Sequence, residues 1–571
     1  MSDRPLRTLT LDALRKRTSV KWRLYPEDVL PLWVAEMDVP VAESVVRAVT
    51  EAMRLGDTGY TIGTPYVEAM RRFARDRWDW SFAAEQAVVM PDVMLGVVEM
   101  LKLVTDPGDA VVVSSPVYPP FYEFVRMAER VAVEAPLGED LRIDLGVLER
   151  TFATVTKDGA RAAYLLCSPH NPTGVVHTRE ELVAVRDLAR RYGVRVVADE
   201  IHAPLVHAGH AHTPYLTVDD SAFALLSASK AWNLAGLKAA VAVAAPDAVD
   251  DLRRMPEVAT HAASHLGEIA HAAALDGGRD WLDALLEDLD ENRRLLAVLL
   301  AEHLPTVGYR TPEGTYLAWL GCRALGLGDD PAAVFLEKGR VALNAGPEFG
   351  TGGEGHARLN LATTPEILTE AVRRMAASLV ETAAVVEPVE TAEPDTPLKI
   401  LFVCTANICR SAFAETLARH LLGDDPTVEV ASAGTRGFVD REPDKELAAT
   451  LTARCVDPDG FRSRILTMDM VEGADIVLTA DTTHRQFILD ERPGAFRKLF
   501  TLGQFARTVE GLPEHLRGRD LVEAAGKGFK PADPEDDVAD PYRRGPEAAE
   551  RAAATIESLL SRFLPRLSQR S

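Results

Sequence analysis

RAAYLLCSPHNPTGVVHTREELVAVRDLARRYGVRVVADE, Arg161–Glu200, decides the fold of most of this chain. It opens on RAAYLLCSP, an apolar run of strand length closed by proline. REELVAVRDLARRYG follows as a helix, with Leu182, Val185 and Leu188 on one face and Gly193 as its stop. VRVVADE then resumes a β-branched run and ends on acids. Strand, helix and strand in this order require a mostly parallel sheet covered by helices, an α/β fold. AVVVSSP, Ala110–Pro116, reads as another buried strand, and the alternation runs from about residue 40 to 380.

The chain has 571 residues, more than one core normally holds, so two or more domains are expected. ETAAVVEPVETAEPDTP, residues 381–397, has acids and three prolines but no aromatic residue and no helical apolar stripe. It reads as an extended, self-repelling linker. LKILFVC then restarts a buried strand and SAFAETLARHLL follows as a helix, so a second α/β unit begins at Leu398. The expected division is 1–380, linker 381–397 and 398–571, with no internal repeat between the units.

The net charge of −23 argues against nucleic acid or an anionic membrane as the main partner. A small anionic substrate remains compatible with it. Five cysteines form no disulfide framework and fit a reducing compartment. The N-terminal stretch is charged throughout, and the longest apolar run, AAVAVAAP, is too short to span a bilayer. A cytoplasmic protein is expected.

SASKAWNLAGLK, Ser227–Lys238, follows the apolar AFALL. A lysine is ordinarily a solvated surface charge, but an amine buried there loses basicity and becomes a usable nucleophile. Ser227 and Ser229 are placed to bond a phosphate. Asp199, at the end of a buried strand, needs a cationic partner such as a protonated pyridine nitrogen. HAGHAH has histidine spacing that metals use, but no acid or cysteine completes a set, so no metal is expected.

TSVKW (Thr18–Trp22), LPLWVAEMD (Leu30–Asp38), GYT (Gly59–Thr61) and SPVYPPF (Ser115–Phe121) continue the pattern in order. So do SPHNPTG, DEIH, SKAWNLAGL, GTYLAW and RLNLA. Together they resemble the fold-type-I pyridoxal phosphate enzymes of the class I/II aminotransferases, and within them the MalY/PatB branch of carbon–sulfur β-lyases. The resemblance implies pyridoxal 5'-phosphate as cofactor, a cysteine thioether such as cystathionine as substrate, and a homodimer. It implies that Lys230 holds the cofactor and moves the α-proton, and that Asp199 pairs with the pyridinium nitrogen. Asn171 and His202 contact the ring hydroxyl side, and Tyr118 stacks on the ring. Ser227 and Ser229 hold the phosphate, with Tyr60 from a partner subunit. Arg358 clamps the substrate carboxylate. Glu36 stands where the branch usually has Asp. Lys238 falls where many aminotransferases have a phosphate-binding Arg, so it takes that role or faces solvent. These residues serve elimination and transamination alike; the branch resemblance favours elimination, with an aminotransferase as the alternative.

VCTANICRS, Val403–Ser411, opens the second unit's chemistry. A bare C-x5-R is weak evidence, but Cys404 ends a strand and a short loop leads into a helix. Such a loop forms an anion nest and favours a thiolate, and Arg410 adds a fork for phosphate oxygens. Asp540, before Pro541, is the candidate acid, with Asp533 as runner-up. With ASAGT, FRSRIL, ADIVLTAD and DPY these stretches resemble the low-molecular-weight protein tyrosine phosphatases, a flavodoxin-like fold. The resemblance implies Cys404 as nucleophile, Arg410 as phosphate clamp, Asn407 and Ser411 as loop organisers, Asp540 as acid and Tyr542 as lining of an aromatic slot. The substrate is then a phosphorylated protein or small phosphomonoester; the alternative is a phospho-ligand-binding module. Ala406 replaces the usual Gly and Ala412 the usual Pro. Cys455 sits where the family tends to have Gly, and too few cysteines remain for an arsenate-reductase relay. Cys409, five residues after Cys404, is a candidate for a protective disulfide.

Overall fold

The computed structural model describes residues 4–384, 397–423, 425–527 and 536–568. Residues 385–396 of the expected linker and Asp533 lie outside the described residues. The chain divides into two compact units, Met1–Glu387 and Pro388–Ser571.

The first unit is built on seven strands: β1 (Ala87–Met90), β2 (Ala110–Val113), β3 (Val131–Glu134), β4 (Ala162–Cys167), β5 (Arg195–Asp199), β6 (Phe223–Leu226) and β7 (Ala240–Ala244). Their spatial order is β1-β7-β6-β5-β4-β2-β3, and β7 alone runs antiparallel to its neighbours. Both faces are covered. Val112, Val196 and Ala198 enter one core, whereas the alternate residues Val111, Val113 and Val197 enter another. Burial on both sides explains the unbroken apolar runs. Between β4 and β5 lies α2 (Arg179–Tyr192), preceded in the chain by α1 (Val93–Val104). Thr178 and Glu181 cap α2 reciprocally, and Gly193 ends it at φ 66°.

A second, antiparallel sheet follows in the order Asn344–Ala345, His356–Asn360, Leu317–Gly321, Gly308–Tyr309. Leu30–Pro31 pairs in parallel with Val341–Ala342 and brings residues 30–38 alongside it. Helix Pro365–Ala384 runs past Glu381, because AVRRMAASLVETAA sustains helical propensity to that point.

The second unit has four parallel strands: β8 (Leu398–Cys404), β9 (Val428–Gly434), β10 (Ile476–Thr479) and β11 (Leu499–Thr501), ordered β9-β8-β10-β11. The chain moves outward from β8 in both directions, so a crevice opens between the carboxyl ends of β8 and β10. Helices α3 (Arg410–Leu422) and α4 (Thr482–Glu491) start at those ends.

Candidate active sites

In the first unit, β5 delivers Asp199 and the loop after β6 delivers Ser229 and Lys230 to one cavity of about 240 Å³. Tyr118, Asn171 and His202 line the same space. The Asp199 carboxylate is 3% exposed and accepts the Ile201 N–H at 3.1 Å. Burial pushes it up to about 7, against the opposing pull of that N–H and of Lys230. Burial, with help from Arg358, pushes the Lys230 amine down to about 8, while Asp199 works the other way. An acid made less acidic and an amine made less basic thus face one chamber. Lys230 Nζ donates to Ala35 O at 3.2 Å. His202 is driven down to about 3, first by burial and then by Lys230 and Arg358, so its ring is neutral; its Nδ1 has no partner among the described residues.

Arg358 lies on the central strand His356–Asn360, opposite Trp319 and Asn344. Its guanidinium donates to Asn171 Oδ1 and Trp33 O, each at 3.0 Å, and to Asn344 Oδ1. It also lies 5.1 Å over the Phe349 ring, and its buried Nε is unpartnered among the described residues. Among the described residues no carboxylate is bonded to this cation, with Glu348 acting on it only from a distance, which suits it to an incoming one.

Other expected residues take different places. Ser227 donates to Ala239 O at 2.8 Å and accepts the Ser229 N–H at 3.1 Å, so its hydroxyl braces the loop, and it does not line the cavity. Lys238 lines the cavity while paired with Asp92 at 3.0 Å. Tyr60 is 98% exposed. His207 and His212 of HAGHAH go to separate partners, Thr315 O at 2.8 Å and Glu200 at 3.6 Å. Sequence reasoning missed Asp92, which caps α1 by accepting the Leu95 N–H and so aims that helix's first turn at the cavity. Its signal was an acid just before an apolar helix. It also missed why residues 30–38 matter. Asn233 and Asn360 hold this segment by its backbone at Met37, Val34 and Glu36, which turns Ala35 O toward Lys230. Glu36 itself accepts from Ser19 Oγ at 2.7 Å.

The residues fit pyridoxal 5'-phosphate: a buried acid, a weakened amine, an orphaned imidazole nitrogen and a helix N-terminus converge on one chamber.

In the second unit, Cys404 ends β8 and its Sγ accepts from Ser411 Oγ at 3.0 Å. Asn407, at φ 56°, donates to Ser411 Oγ (2.9 Å) and Ser432 Oγ (2.7 Å) and accepts the Arg464 N–H (2.8 Å). The left-handed position therefore falls on Asn407, a residue that tolerates it, and Ala406 has no positive φ. Gly434 is required where β9 passes the loop, since a Cβ there would lie 2.8 Å from Asn407 N and Thr405 O. Cys455 does occupy a left-handed position, φ 59°, with its thiol-bearing residue exposed.

Arg410 is 4% exposed, with Nη1 bound to Asp481 (2.8 Å) and Val538 O (2.9 Å) and Nη2 3.6 Å from Asp540. Asp481 caps α4. Burial raises its carboxyl, but bonds from His484 and Thr483 outweigh that and hold it well below the usual range. His484 Nδ1 lies 2.7 Å from Asp481 and its Nε2 2.8 Å from Thr405 Oγ1, linking the clamp's anchor back to the loop. Sequence reasoning gave neither Asp481 nor His484 a role. Asp537 accepts from the Thr482 N–H and hydroxyl, both at 2.8 Å, and so docks the segment carrying Asp540 and Tyr542 beside the clamp. Burial, with Asp444 and Cys404 nearby, pushes the Cys409 thiol up.

Residues 27–375 match the family model of aminotransferase class I and II, and residues 399–518 that of low molecular weight phosphotyrosine protein phosphatase. A Mycobacterium tuberculosis relative, provisionally named a cystathionine beta-lyase, is 54% identical over 405 residues, which is 67% of this chain and 100% of the relative. The Corynebacterium glutamicum cystathionine beta-lyase is 36% identical over 375 residues, 65% of this chain and 99% of the relative. The solved structure of cystalysin from Treponema denticola, which contains pyridoxal 5'-phosphate, superposes with a TM-score of 0.61 at 27% identity, covering 64% of this chain and 97% of that one. The chain belongs to the class I and II aminotransferase family and carries a low-molecular-weight phosphotyrosine phosphatase domain behind that unit.

Proposed function

We propose that the chain is a bifunctional enzyme, a pyridoxal phosphate-dependent carbon–sulfur β-lyase joined in one chain to a cysteine-dependent phosphatase. The observation that carries the pyridoxal phosphate reading is the pair Asp199 and Lys230, displaced toward each other in one cavity, and the likeness to cystathionine beta-lyases favours elimination over transamination. The cofactor, when bound, supplies an electron sink for the pair left at Cα. Asp199 keeps the pyridine nitrogen protonated, and Tyr118, Asn171 and His202 hold the ring. Ser229 and the first turn of α1 take the phosphate, with Ser227 bracing the loop and Lys238 at the rim. Arg358 binds the substrate carboxylate and so turns Cα–H toward Lys230 Nζ, whose depressed basicity leaves it free to take that proton near neutral pH. A thiolate at Cβ then departs, and hydrolysis gives pyruvate and ammonia. The high exposure of Leu55 (76%), Tyr60 (98%) and Ile62 (82%) supports a homodimer in which Tyr60 reaches the partner's phosphate. Five free cysteines support a reducing, cytoplasmic setting.

In the second unit Cys404 Sγ attacks phosphorus while Arg410 and the loop N–H groups hold the oxygens. Asp540 protonates the departing oxygen and then takes a proton from the water that frees the thiol. Ser411 and Asn407 keep the loop and thiol in place, and Tyr542 flanks the leaving group.

Incubation with cystathionine and no keto acid tests the first assignment: pyruvate release supports elimination, and a strict need for an acceptor makes the unit an aminotransferase. Cys404→Ser is expected to stop aryl phosphate hydrolysis and spare pyruvate release, and Lys230→Ala to do the reverse.

A further inference from the structure

Three loops are bonded to the Cys404 phosphate loop or to its clamp, and their surface charge differs from that of the chain. The Arg436 N–H donates to Thr405 O at 2.8 Å and the Phe438 N–H to Ala406 O at 3.3 Å, placing residues 435–444 against one side. Arg464 N donates to Asn407 Oδ1, and Ser463 joins that loop to Arg441, its Oγ accepting the Arg441 N–H at 3.0 Å. Residues 537–545 meet the clamp through Val538 O and Asp540. Together these stretches carry six arginines, at 436, 441, 462, 464, 543 and 544, no lysine, and five carboxylates, at 440, 442, 444, 537 and 540, in a chain of net charge −23. All six are exposed.

Each of the five acids has a partner of its own, Thr482 in the case of Asp537. Arg462 takes Asp440 and Glu442 at 3.8 and 3.6 Å, and Arg464 takes Glu415 at 3.3 Å. Asp540 faces Arg410, and Asp444 caps the helix Lys445–Ala453. Arg543 lies 5.1 Å over the Tyr542 ring, and Arg436, Arg441, Arg543 and Arg544 have no carboxylate partner among the described residues. A solvated basic face needs no confinement to one place. Here the four unpaired arginines stand on loops bonded to the Cys404 loop or to its clamp.

We infer that this arginine rim selects phosphotyrosine in acidic surroundings, a phosphoprotein segment whose neighbouring residues are Asp and Glu. The inference rests on the phosphatase reading of Cys404 and deepens it. With the phosphoryl group in the loop, flanking side chains of a peptide cross the rim, where planar guanidinium forks take carboxylates in two-point contacts. The four unpaired guanidinium groups also weaken locally the field with which the rest of the chain repels anions, raising encounter rates in a salt-dependent way.

The test compares two phosphotyrosine peptides, one flanked by Asp and Glu and one by Lys, with p-nitrophenyl phosphate as the small reference substrate. At low salt kcat/KM for the acidic peptide is expected to exceed that for the basic one by about tenfold or more. The preference shrinks toward equality in R436Q/R441Q/R544Q and at high salt, with kcat on p-nitrophenyl phosphate unchanged. Should the triple variant misfold, R441E, on the exposed loop, is expected to invert the order of the peptides. Equal rates in the wild type, or a preference that survives both variants, overturns the inference while leaving the phosphatase intact. Failure of the wild type to hydrolyse p-nitrophenyl phosphate instead removes the phosphatase reading, and the inference with it.

Discussion

Asp199 carries the clearest physical signature of any single residue in the chain. Between the ordinary carboxylate value of 3.8 and about 7, the unfolded chain has released this proton while the cofactor-free fold retains it. The stability contributed by Asp199 is therefore present below that window and lost as pH rises through it. The displacement corresponds to as much as about 4 kcal/mol. Cofactor-stripped Asp199→Asn is accordingly expected to melt above the stripped wild type, with a margin that widens from about pH 4 to about pH 7. A margin independent of pH, read by calorimetry, would contradict the burial account. At this scale the sequence singled out Lys230, Asp199, Cys404 and Arg410, because each belongs to a local motif with its own chemistry, and the fold brings Asp199 and Lys230 to one cavity. It was silent on the roles of Asp92, Asp481 and His484, because a carboxylate 71 residues from Arg410 becomes its partner only through the sheet.

Among the elements, the segment after Leu30 is the least regular and the most consequential. Its position depends on a buried ion pair, Lys21 Nζ to Asp38 at 2.9 Å with side chains 0% and 1% exposed, reinforced by Trp22 Nε1 on the same carboxylate at 3.1 Å. Lys21→Met leaves Asp38 charged and buried, so a loss of about 3–5 kcal/mol is expected in urea unfolding of the first unit. Adding Asp38→Asn is expected to recover part of it, and a near-neutral single variant would show that the pair does not hold the segment. Helix α2 was legible down to its stop at Gly193, since period and glycine agreed. The two-residue strands Leu30–Pro31 and Val341–Ala342 were not. They have no period of their own, and pairing across more than three hundred residues creates them.

At the scale of the molecule the two units differ in how they store protons. The first contains five histidines buried and neutral: His170 and His202 at about 3, and His177, His207 and His271 at about 4, each depressed chiefly by burial. As pH falls below 6.5 the unfolded chain takes up protons that this fold refuses, so stability is lost from there toward about pH 4. In the second unit Asp481 is the carboxylate held furthest down among the described residues, and its stabilisation is present above the ordinary carboxylate value and is lost only as pH falls below it. Acidification is therefore expected to remove pyruvate release and cofactor absorbance at a higher pH than it removes aryl phosphate hydrolysis. Loss of the phosphatase first would refute that ordering.

By itself the sequence determined the two-unit plan, the α/β class of each unit and the chemical types at both sites. Hydrophobic period, caps and strand-to-loop transitions are local quantities, readable within ten or fifteen residues. Only the tertiary structure decided that Ser227 braces a loop, that Lys238 answers Asp92, that Asp481 and His484 stand behind Arg410, and that three separate arginine-bearing loops bond to the Cys404 loop or its clamp. Those facts depend on distances between residues far apart in the chain, and these are set when parallel strands bring their carboxyl ends to one edge of the sheet.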